Sequence, residues 1–502
     1  MAGNLDVAVE TNAKPTTSDT ISADEPIIRF NPAAIALFRY VAIDIDYDGS
    51  PDLDEVTATF TYELVDRSGA GGVSCREVFV FPVSADGIPG PDSARRKAFE
   101  RLVRHLGLAA GLSYYKMAAP PEMEIADSYS AEGFTVEEVA FHRRLLAKGL
   151  GEFSFVNGLD AELQPRYSFR SAVAAAPLTG LDLSRGPLVA VGGGKDSCVS
   201  VETLRSAATG DPKFSPTLIT VNRYPVITDV ISVAHLPDVA VVRNLDPKIG
   251  ALNKAGALNG HVPATAIVSL AVLCSAVLRG HGSVVMSNER SASEGNITYQ
   301  GVEINHQWSK SDEAELLIAR LVQSITPELS YFSLLRPLSE LDIARRFAQT
   351  CDRYFDSFSS CNAAFRLDPA RRASRWCGQC PKCQFVYLAL ATALDRSRLE
   401  SIWGAELFGT SPEEGFAALL GLQEWKPFEC VGEYGECRVA LQMVMDNPQW
   451  SGHTVLANLR ERVADADGWP TADERARVFA LGETFAPAEF AALIASSHWP
   501  AS

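Results

Sequence analysis

The sequence predicts an α/β protein built on a doubly wound parallel sheet, preceded by an α+β module and followed by a mainly helical region. Three observations carry this. From Pro187 onward short apolar runs alternate with helical stretches, and the runs are apolar at consecutive positions, as strands buried on both faces are. One run also ends in three glycines that lead straight into a helix. Strand–helix alternation makes neighbouring strands parallel, and ligands in such sheets bind beyond the strands' carboxyl ends.

Residues 1–25 are polar and are expected to form a disordered tail. Their acidic residues against the lone Lys14 are the wrong charge for a signal or transit peptide. Residues 26–170 read as the α+β module. Phe38–Tyr47 and Val56–Val65 alternate as half-buried strands, Glu77–Pro82 is a third strand, and Ala94–Leu112 is a helix. Over residues 171–400 strands are expected at Leu188–Val191, Thr217–Val221, Val239–Val242, Ser283–Met286 and Tyr331–Leu335. The helices between them fall near Ser197–Ala207, Val226–Val233, Pro263–Arg279, Asp312–Gln323 and Ser339–Thr350. Ser339 and Asp342 form a capping-box variant at the last of these. Asn259, Gly260 and His261 precede the Pro263–Arg279 helix, where they suit a cap. Residues 401–502 carry helical patterns at Glu414–Leu420, Arg438–Met445 and Val455–Arg462.

Composition narrows the function classes. The 502 residues are 47% hydrophobic, enough for large cores and two to four domains at ~100–200 residues each. With 45 Lys and Arg against 62 Asp and Glu, the net charge is −17, which argues against general nucleic-acid binding. The longest apolar run, Ala264–Leu278, is short of the ~20 residues a bilayer span needs. Ten cysteines, several of them clustered, indicate a reducing compartment and a metal or sulfur site rather than a disulfide scaffold. A cytoplasmic protein is expected.

The strongest local signal is Val189-Ala190-Val191-Gly192-Gly193-Gly194-Lys195-Asp196-Ser197. Consecutive glycines let the backbone approach a ligand and turn N–H groups towards it, and the helix N-terminus adds positive charge. A phosphate or pyrophosphate fits, with Lys195 adding a full charge. A Walker loop is excluded because Val189 stands where its first glycine belongs and Asp196 where Ser or Thr belongs. A dinucleotide fingerprint is excluded by Ser197 in place of the third glycine and Asn222 in place of the ribose-binding acid.

Gly192–Ser197 resembles the Ser-Gly-Gly-x-Asp-Ser loop of the PP-loop ATP pyrophosphatases, an adenine-nucleotide α-hydrolase-like fold. The resemblance implies that ATP is cleaved between its α and β phosphates and AMP is attached to a carboxylate or carbonyl oxygen. Gly192, Gly193, Gly194, Lys195, Asp196, Ser197 and Asn222 are then the expected ATP-binding residues, with Asp196 near Mg²⁺ or bracing the loop. Gly192 replaces the motif's first Ser, so that hydroxyl contact does not carry over.

Cys361, Cys377, Cys380 and Cys383 are separated by 15, 2 and 2 residues. Two Cys-x-x-Cys steps and a distant fourth thiol favour tetrahedral Zn²⁺. An iron–sulfur cluster, a sulfur-carrying thiol and unliganded thiols stay open as alternatives, although Tyr387 stands where a ferredoxin run needs its fourth Cys. A similar cluster follows the nucleotide domain of the 7-cyano-7-deazaguanine synthases. Arg366, Arg371, Arg372 and Arg375 just before the triplet read as a solvated loop or an anion clamp.

Two polar runs, Ser287–Ser293 and Asn305–Ser311, are expected to face the ligand crevice. With Lys426-Pro427-Phe428-Glu429-Cys430-Val431-Gly432, they make residues 185–435 resemble the MurL family of UDP-N-acetylmuramoyl-L-alanyl-L-glutamate epimerases. That resemblance implies ATP- and Mg²⁺-dependent inversion of a terminal L-Glu in a peptidoglycan precursor. Asn288, Arg290, Ser291 and Lys310 would bind the substrate, a UDP-N-acetylmuramoyl dipeptide. Adenylating a carboxylate removes its negative charge and acidifies the neighbouring α-proton, which two acid/base groups on opposite faces can then exchange. His306, Glu289, Lys310, Glu429 and Cys430 are available, and His306 and Glu289 come first among them. Lys195 and Asp196 are the catalytic candidates for adenylation. The competing readings are a PP-loop enzyme that adenylates tRNA or a nucleobase, and a nucleotide sensor without turnover.

Overall fold

Nine strands form one mixed sheet in the computed structural model, which describes residues 29–496 apart from 49–54, 69–71, 131–132, 168, 170–175, 367–368 and 467. The tail expected over residues 1–25 lies outside the described residues. The strands are β1 (Ile35–Asp46), β2 (Glu55–Asp66), β3 (Gly72–Pro82), β4 (Glu122–Ile125), β5 (Leu188–Ala190), β6 (Thr217–Val221), β7 (Asp238–Asn244), β8 (Ser283–Met286) and β11 (Ser330–Ser333). The separate hairpin is β9 (Ile297–Tyr299) and β10 (Val302–Ile304). The sheet order is β11-β8-β5-β6-β7-β3-β2-β1-β4.

From β7 to β11 every neighbouring pair is parallel. The first of these strands in the chain, β5, lies in the middle. Two later strands lie on one side and two on the other, which is doubly wound order, and the direction of winding reverses between β5 and β8. Leu188 and Val284 face one apolar core while Val189 and Val285 face the other. The expected both-face burial is therefore present. The helices Lys195–Ala208 and Glu340–Thr350 cover one side, and Ala264–Arg279 and Asp312–Ile325 the other.

The antiparallel strands of the N-terminal segment continue this same sheet, because β3 pairs with β7 through Val78↔Asn244, Phe79↔Arg243 and Val80↔Val242. Alternation in β2 sends Val56, Ala58, Phe60, Tyr62 and Leu64 into the core shared with the helix Ala94–Ala110. β3 begins at Gly72, five residues before the strand expected from the sequence, because pairing with β2 extends it through the polar Ser74 and Arg76. The helical C-terminal region contains Glu413–Leu419, Tyr434–Asp446 and Thr454–Ala466 at the expected places.

Two local expectations need correction. Ser339 does cap its helix, accepting from the Asp342 N–H at 3.0 Å, but Asp342 pairs with Arg345 and Arg346 instead of reaching back. An Asp side chain is one methylene shorter than the Glu of a full capping box, and the two guanidinium groups outcompete the return bond. Asn259–His261 does not cap the Ala264–Arg279 helix, which has no side-chain cap. Asn259 accepts instead from Lys116 Nζ at 2.8 Å. Among the described residues, no helix is long and apolar enough to cross a membrane.

At the β3–β7 joint the buried Glu77 carboxylate accepts from Arg243 Nε at 2.5 Å, and Arg243 Nη2 donates to Ser113 Oγ at 3.1 Å. Arg243→Ala leaves a carboxylate buried without its partner and should cost about 3–5 kcal/mol in urea unfolding at neutral pH. Glu77→Leu combined with Arg243→Met should recover most of that loss. A single-variant cost within error of zero would mean that the pair does not hold the joint.

Candidate active site

The glycine turn lies at the reversal between β5 and β8. Gly193 has φ +85°, a backbone conformation that side chains strain, and its carbonyl accepts from the Ser359 N–H at 2.9 Å. At Gly194 a Cβ would come within 2.7 Å of Ser360 Oγ, so a side chain there would make that hydroxyl move aside. Gly192 is exposed, and a Cβ there would meet nothing within 4 Å. The turn is thus closed on its Gly193–Gly194 side and open at Gly192. The helix Lys195–Ala208 begins directly behind it, with first-turn amides that have no intrahelical acceptor. Ser197 Oγ donates to Gly194 O at 3.0 Å.

Lys195 points into the protein. Its fully buried ammonium donates to the Asp196 and Glu340 carboxylates. Burial alone would depress its pKa, but Asp196 and Glu340 outweigh that and hold it above its ordinary value. Glu340 opens the helix after β11, and Glu289 follows the end of β8. One carboxylate oxygen each from Asp196, Glu289 and Glu340 lies within 4.8 Å of the others. Burial raises the pKa of Asp196, but Lys195, Lys382 and Lys310 more than offset this and hold the group below the usual carboxylate range. Burial raises Glu340. Three converging carboxylates form an all-oxygen donor set that suits a hard divalent cation such as Mg²⁺.

Beside the carboxylates lies a second cluster, around a thiol. Lys310 Nζ is 3.4 Å from Cys430 Sγ, and Lys382 donates to the Cys430 carbonyl. His306 bonds Glu152 through Nδ1, and its ring lies against that of His261, with centroids 4.4 Å apart. Burial pushes the Cys430 thiol up, but Lys310 and His306 overcome this and bring it down to about 5. Burial works against charge on His306, whereas its contacts with Cys430 and Glu152 raise it to about 10. Burial and neighbouring positive charge hold His261 well below the ordinary histidine range. The two clusters adjoin, since Lys382 Nζ is also 3.7 Å from Glu340 and the Lys310 ammonium is stabilised by Cys430, Glu289 and Asp196.

The other expected site residues have local partners. Asn222 exchanges hydrogen bonds with the Arg243 backbone at 2.8 and 3.2 Å and ties β6 to β7. Asn288 donates to Ser333 Oγ at 3.1 Å, and Ser291 donates to Glu436 at 2.5 Å. Arg290 bonds the carbonyls of Arg477, Val478 and Ala480. It borders a cleft of about 520 Å³ that also holds Glu294, Asp312, Glu433 and Glu483, an acidic lining poorly matched to a diphosphate. Arg366 and Arg372 bond to backbone carbonyls of their own loop, and Arg375 to that of Phe355.

Sequence reasoning did not single out Glu152, Glu340 or Lys382, and it ranked Cys430 below His306 and Glu289. One usable signal was overlooked. Ile297-Thr298-Tyr299-Gln300-Gly301-Val302-Glu303-Ile304 alternates around a two-residue turn, and positive φ at Gln300 and Gly301 closes the β9–β10 hairpin. Asn296, which precedes the hairpin, accepts from the His306 N–H at 2.7 Å, so the hairpin returns His306 to the site.

Cys361, Cys377, Cys380 and Cys383 bring one sulfur each to within 4.8 Å of the others, with Cys380–Cys383 at 3.5 Å and Cys377–Cys383 at 3.8 Å. Zinc–sulfur bonds of about 2.3 Å in a tetrahedron separate the sulfurs by about 3.8 Å, so the donor set fits one zinc ion. Lys382 sits inside this loop, between two of the cysteines.

Two family models match the chain, the MurL N-terminal domain over residues 29–334 and the MurL C-terminal domain over residues 357–474. Three curated relatives carry the name UDP-N-acetyl-alpha-D-muramoyl-L-alanyl-L-glutamate epimerase. That of Salinispora tropica is 41% identical over 90% of this chain and 95% of its own length. A Micromonospora relative is 42% identical over 84% of this chain and 91% of its own. One from Xanthomonas oryzae pv. oryzae is 42% identical over 72% of this chain and 78% of its own. No solved structure matches the chain.

The sulfur geometry makes a prediction about metal content. Purified protein should carry about one zinc per chain, and Cys380→Ser or chelation should lower the melting temperature, because metal binding adds to folding free energy. Iron with sulfide, or no metal in protein purified without chelators, would contradict it.

Proposed function

Since the chain belongs to the MurL family, we propose that it inverts the terminal L-Glu of UDP-N-acetylmuramoyl-L-alanyl-L-glutamate to D-Glu in peptidoglycan precursor synthesis. ATP enters as a second substrate and leaves as AMP and pyrophosphate. The observation that carries this reading is the adjacency of the two buried clusters, one suited to phosphate and cation and the other to proton transfer, with Lys382 in contact with both and Lys310 at the thiol feeling the charge of Glu289 and Asp196.

The chemistry runs in three steps. A glutamate α-carboxylate oxygen attacks the α-phosphorus of ATP, the bond to the bridging oxygen breaks, and pyrophosphate departs with its electron pair. The resulting acyl-adenylate has lost the carboxylate charge, so its α-proton can pass to a base while the electron pair spreads into the acyl oxygen. A proton then returns on the opposite face, and water cleaves the mixed anhydride to release AMP and the D-glutamyl product.

The Gly192–Gly194 turn and the helix N-terminus behind it supply N–H donors and partial positive charge for the phosphates. Asp196, Glu289 and Glu340 would hold Mg²⁺, which supplies charge neutralisation for the phosphates. The buried Lys195 ammonium, paired with Asp196 and Glu340, would supply positive charge beside the departing pyrophosphate. The two acid/base candidates expected from the sequence divide between the clusters: Glu289 falls in the set that would hold Mg²⁺, and His306 falls in the thiol cluster, where proton transfer is proposed.

The test offers the UDP-linked L-Ala-L-Glu substrate with ATP and Mg²⁺, then determines the chirality of the glutamate and the nucleotide products. D-Glu, AMP and pyrophosphate are expected, with deuterium at the glutamate α-carbon in D₂O and no exchange without ATP. Lys195→Ala and Asp196→Ala, in preparations shown to be folded, should lose about 100-fold or more of the AMP formation. Release of ADP and phosphate would overturn the adenylation reading, and AMP without any D-epimer would overturn the epimerase reading.

A further inference from the structure

Of the ten cysteines, seven are buried and two of the remaining three, Cys377 and Cys380, belong to the sulfur cluster. Cys430 alone is a partly exposed residue outside that cluster. Its surroundings come from separate parts of the chain. Lys310 Nζ approaches the sulfur at 3.4 Å from the segment after β10. His306 faces it from the same segment and is held on its other side by Glu152 of the helix Gly151–Val156. Lys382 bonds the Cys430 carbonyl, and its own N–H donates to the adjoining Glu429 at 2.9 Å. His261 lies beyond His306, with Lys116 behind it, and Glu289 and Asp196 lie beyond Lys310.

An imidazole between a carboxylate and a thiol can donate from both nitrogens when it is charged. Each contact then favours imidazolium over imidazole and thiolate over thiol. Lys310 adds a second cation on the sulfur. In this arrangement the free lone pair is on sulfur, and the ring has none to offer. The directions of the shifts at His306 and Cys430 agree with that assignment.

We propose that Cys430 is a catalytic residue whose thiolate exchanges the α-proton of the activated glutamate on one face, with Lys310, His306 and Glu152 as positioning residues. This rests on the epimerase reading above. As the Cα–H bond breaks, an S–H bond forms and the electron pair moves from Cα into the acyl oxygen. In the opposite direction the thiol returns its proton, and sulfur is neither oxidised nor acylated.

Deuterium exchange and AMP formation are measured in D₂O for the wild type, Cys430→Ser and Cys430→Ala, starting from each glutamyl epimer separately. The ratio of exchange to AMP should fall about 100-fold or more from one epimer and much less from the other. The second measurement is the pH dependence of Cys430 alkylation by iodoacetamide, followed by peptide mapping. The wild-type midpoint should lie well below the ordinary thiol value of about 8.5. Glu152→Gln should move the midpoint upward, because a less charged His306 stabilises the thiolate less, without a matching drop in melting temperature. This second measurement also decides the matter if the Cys430 variants do not fold.

An unchanged exchange-to-AMP ratio in Cys430→Ala would overturn the proposal, as would an alkylation midpoint near the ordinary thiol value. A substrate acyl group found on Cys430 by mass spectrometry would also overturn it, since that makes the sulfur a nucleophile. If the wild type forms no AMP with this substrate, the functional reading fails, and the alkylation midpoint still judges the thiolate on its own.

Discussion

The ion pairing of Lys195 with Glu340 and Asp196 is the constraint on which the rest of the crevice depends. All three sit at the reversal between β5 and β8, where the strands diverge and a buried lysine would otherwise face no partner. A buried charge left alone costs several kcal/mol, roughly, so the helix that begins at Glu340 must dock where its first carboxylate meets this ammonium. The glycine turn is tied to the same point. The Ser359 N–H donates to the Gly193 carbonyl, which holds the segment on the turn, and the chain then leads into Cys361, the first sulfur of the cluster. That cluster in turn fixes Lys382, which reaches back to Glu340 and Cys430.

The N-terminal segment has a part in this site as well as in the sheet. Its strands extend the parallel sheet through β3 and β7, and the helix Gly151–Val156 brings Glu152 to His306. A carboxylate contributed from 154 positions away in sequence joins Cys430 in favouring the charged imidazole, which acts with Lys310 to favour the thiolate. Lys382 and Lys310 then link the carboxylate and thiol clusters, to which the proposed function gives phosphate binding and proton transfer. An adenylating epimerase needs that proximity, because the acidified α-carbon lies one bond from the adenylated carboxyl.

Much of this architecture was legible in the sequence because its signals are local. Consecutive apolar runs mark β5, β6 and β8, and the glycines with Lys195 mark the turn. Short cysteine spacings mark the sulfur cluster. What stayed hidden depends on contacts between distant segments. Nothing in β3 itself says that its outer edge pairs with β7, and Glu340 reads as an ordinary first-turn acid until the buried lysine is seen opposite. Cys430 was visible as a residue type, but its preference for the thiolate comes from Lys310 and His306, more than a hundred positions earlier. The β9–β10 hairpin is the exception, since its alternation and its Gln300-Gly301 turn were both local.

The central claim is that one site activates the glutamate carboxyl and exchanges the proton beside it. The most direct test uses substrate whose glutamate α-carboxylate carries heavy oxygen in both positions, turned over with unlabelled ATP in ordinary water. If that carboxylate attacks the α-phosphorus and hydrolysis occurs at the acyl carbon, the AMP released will contain one heavy oxygen, and the D-epimer will appear with it. Formation of the D-epimer with AMP wholly free of the label would contradict the account.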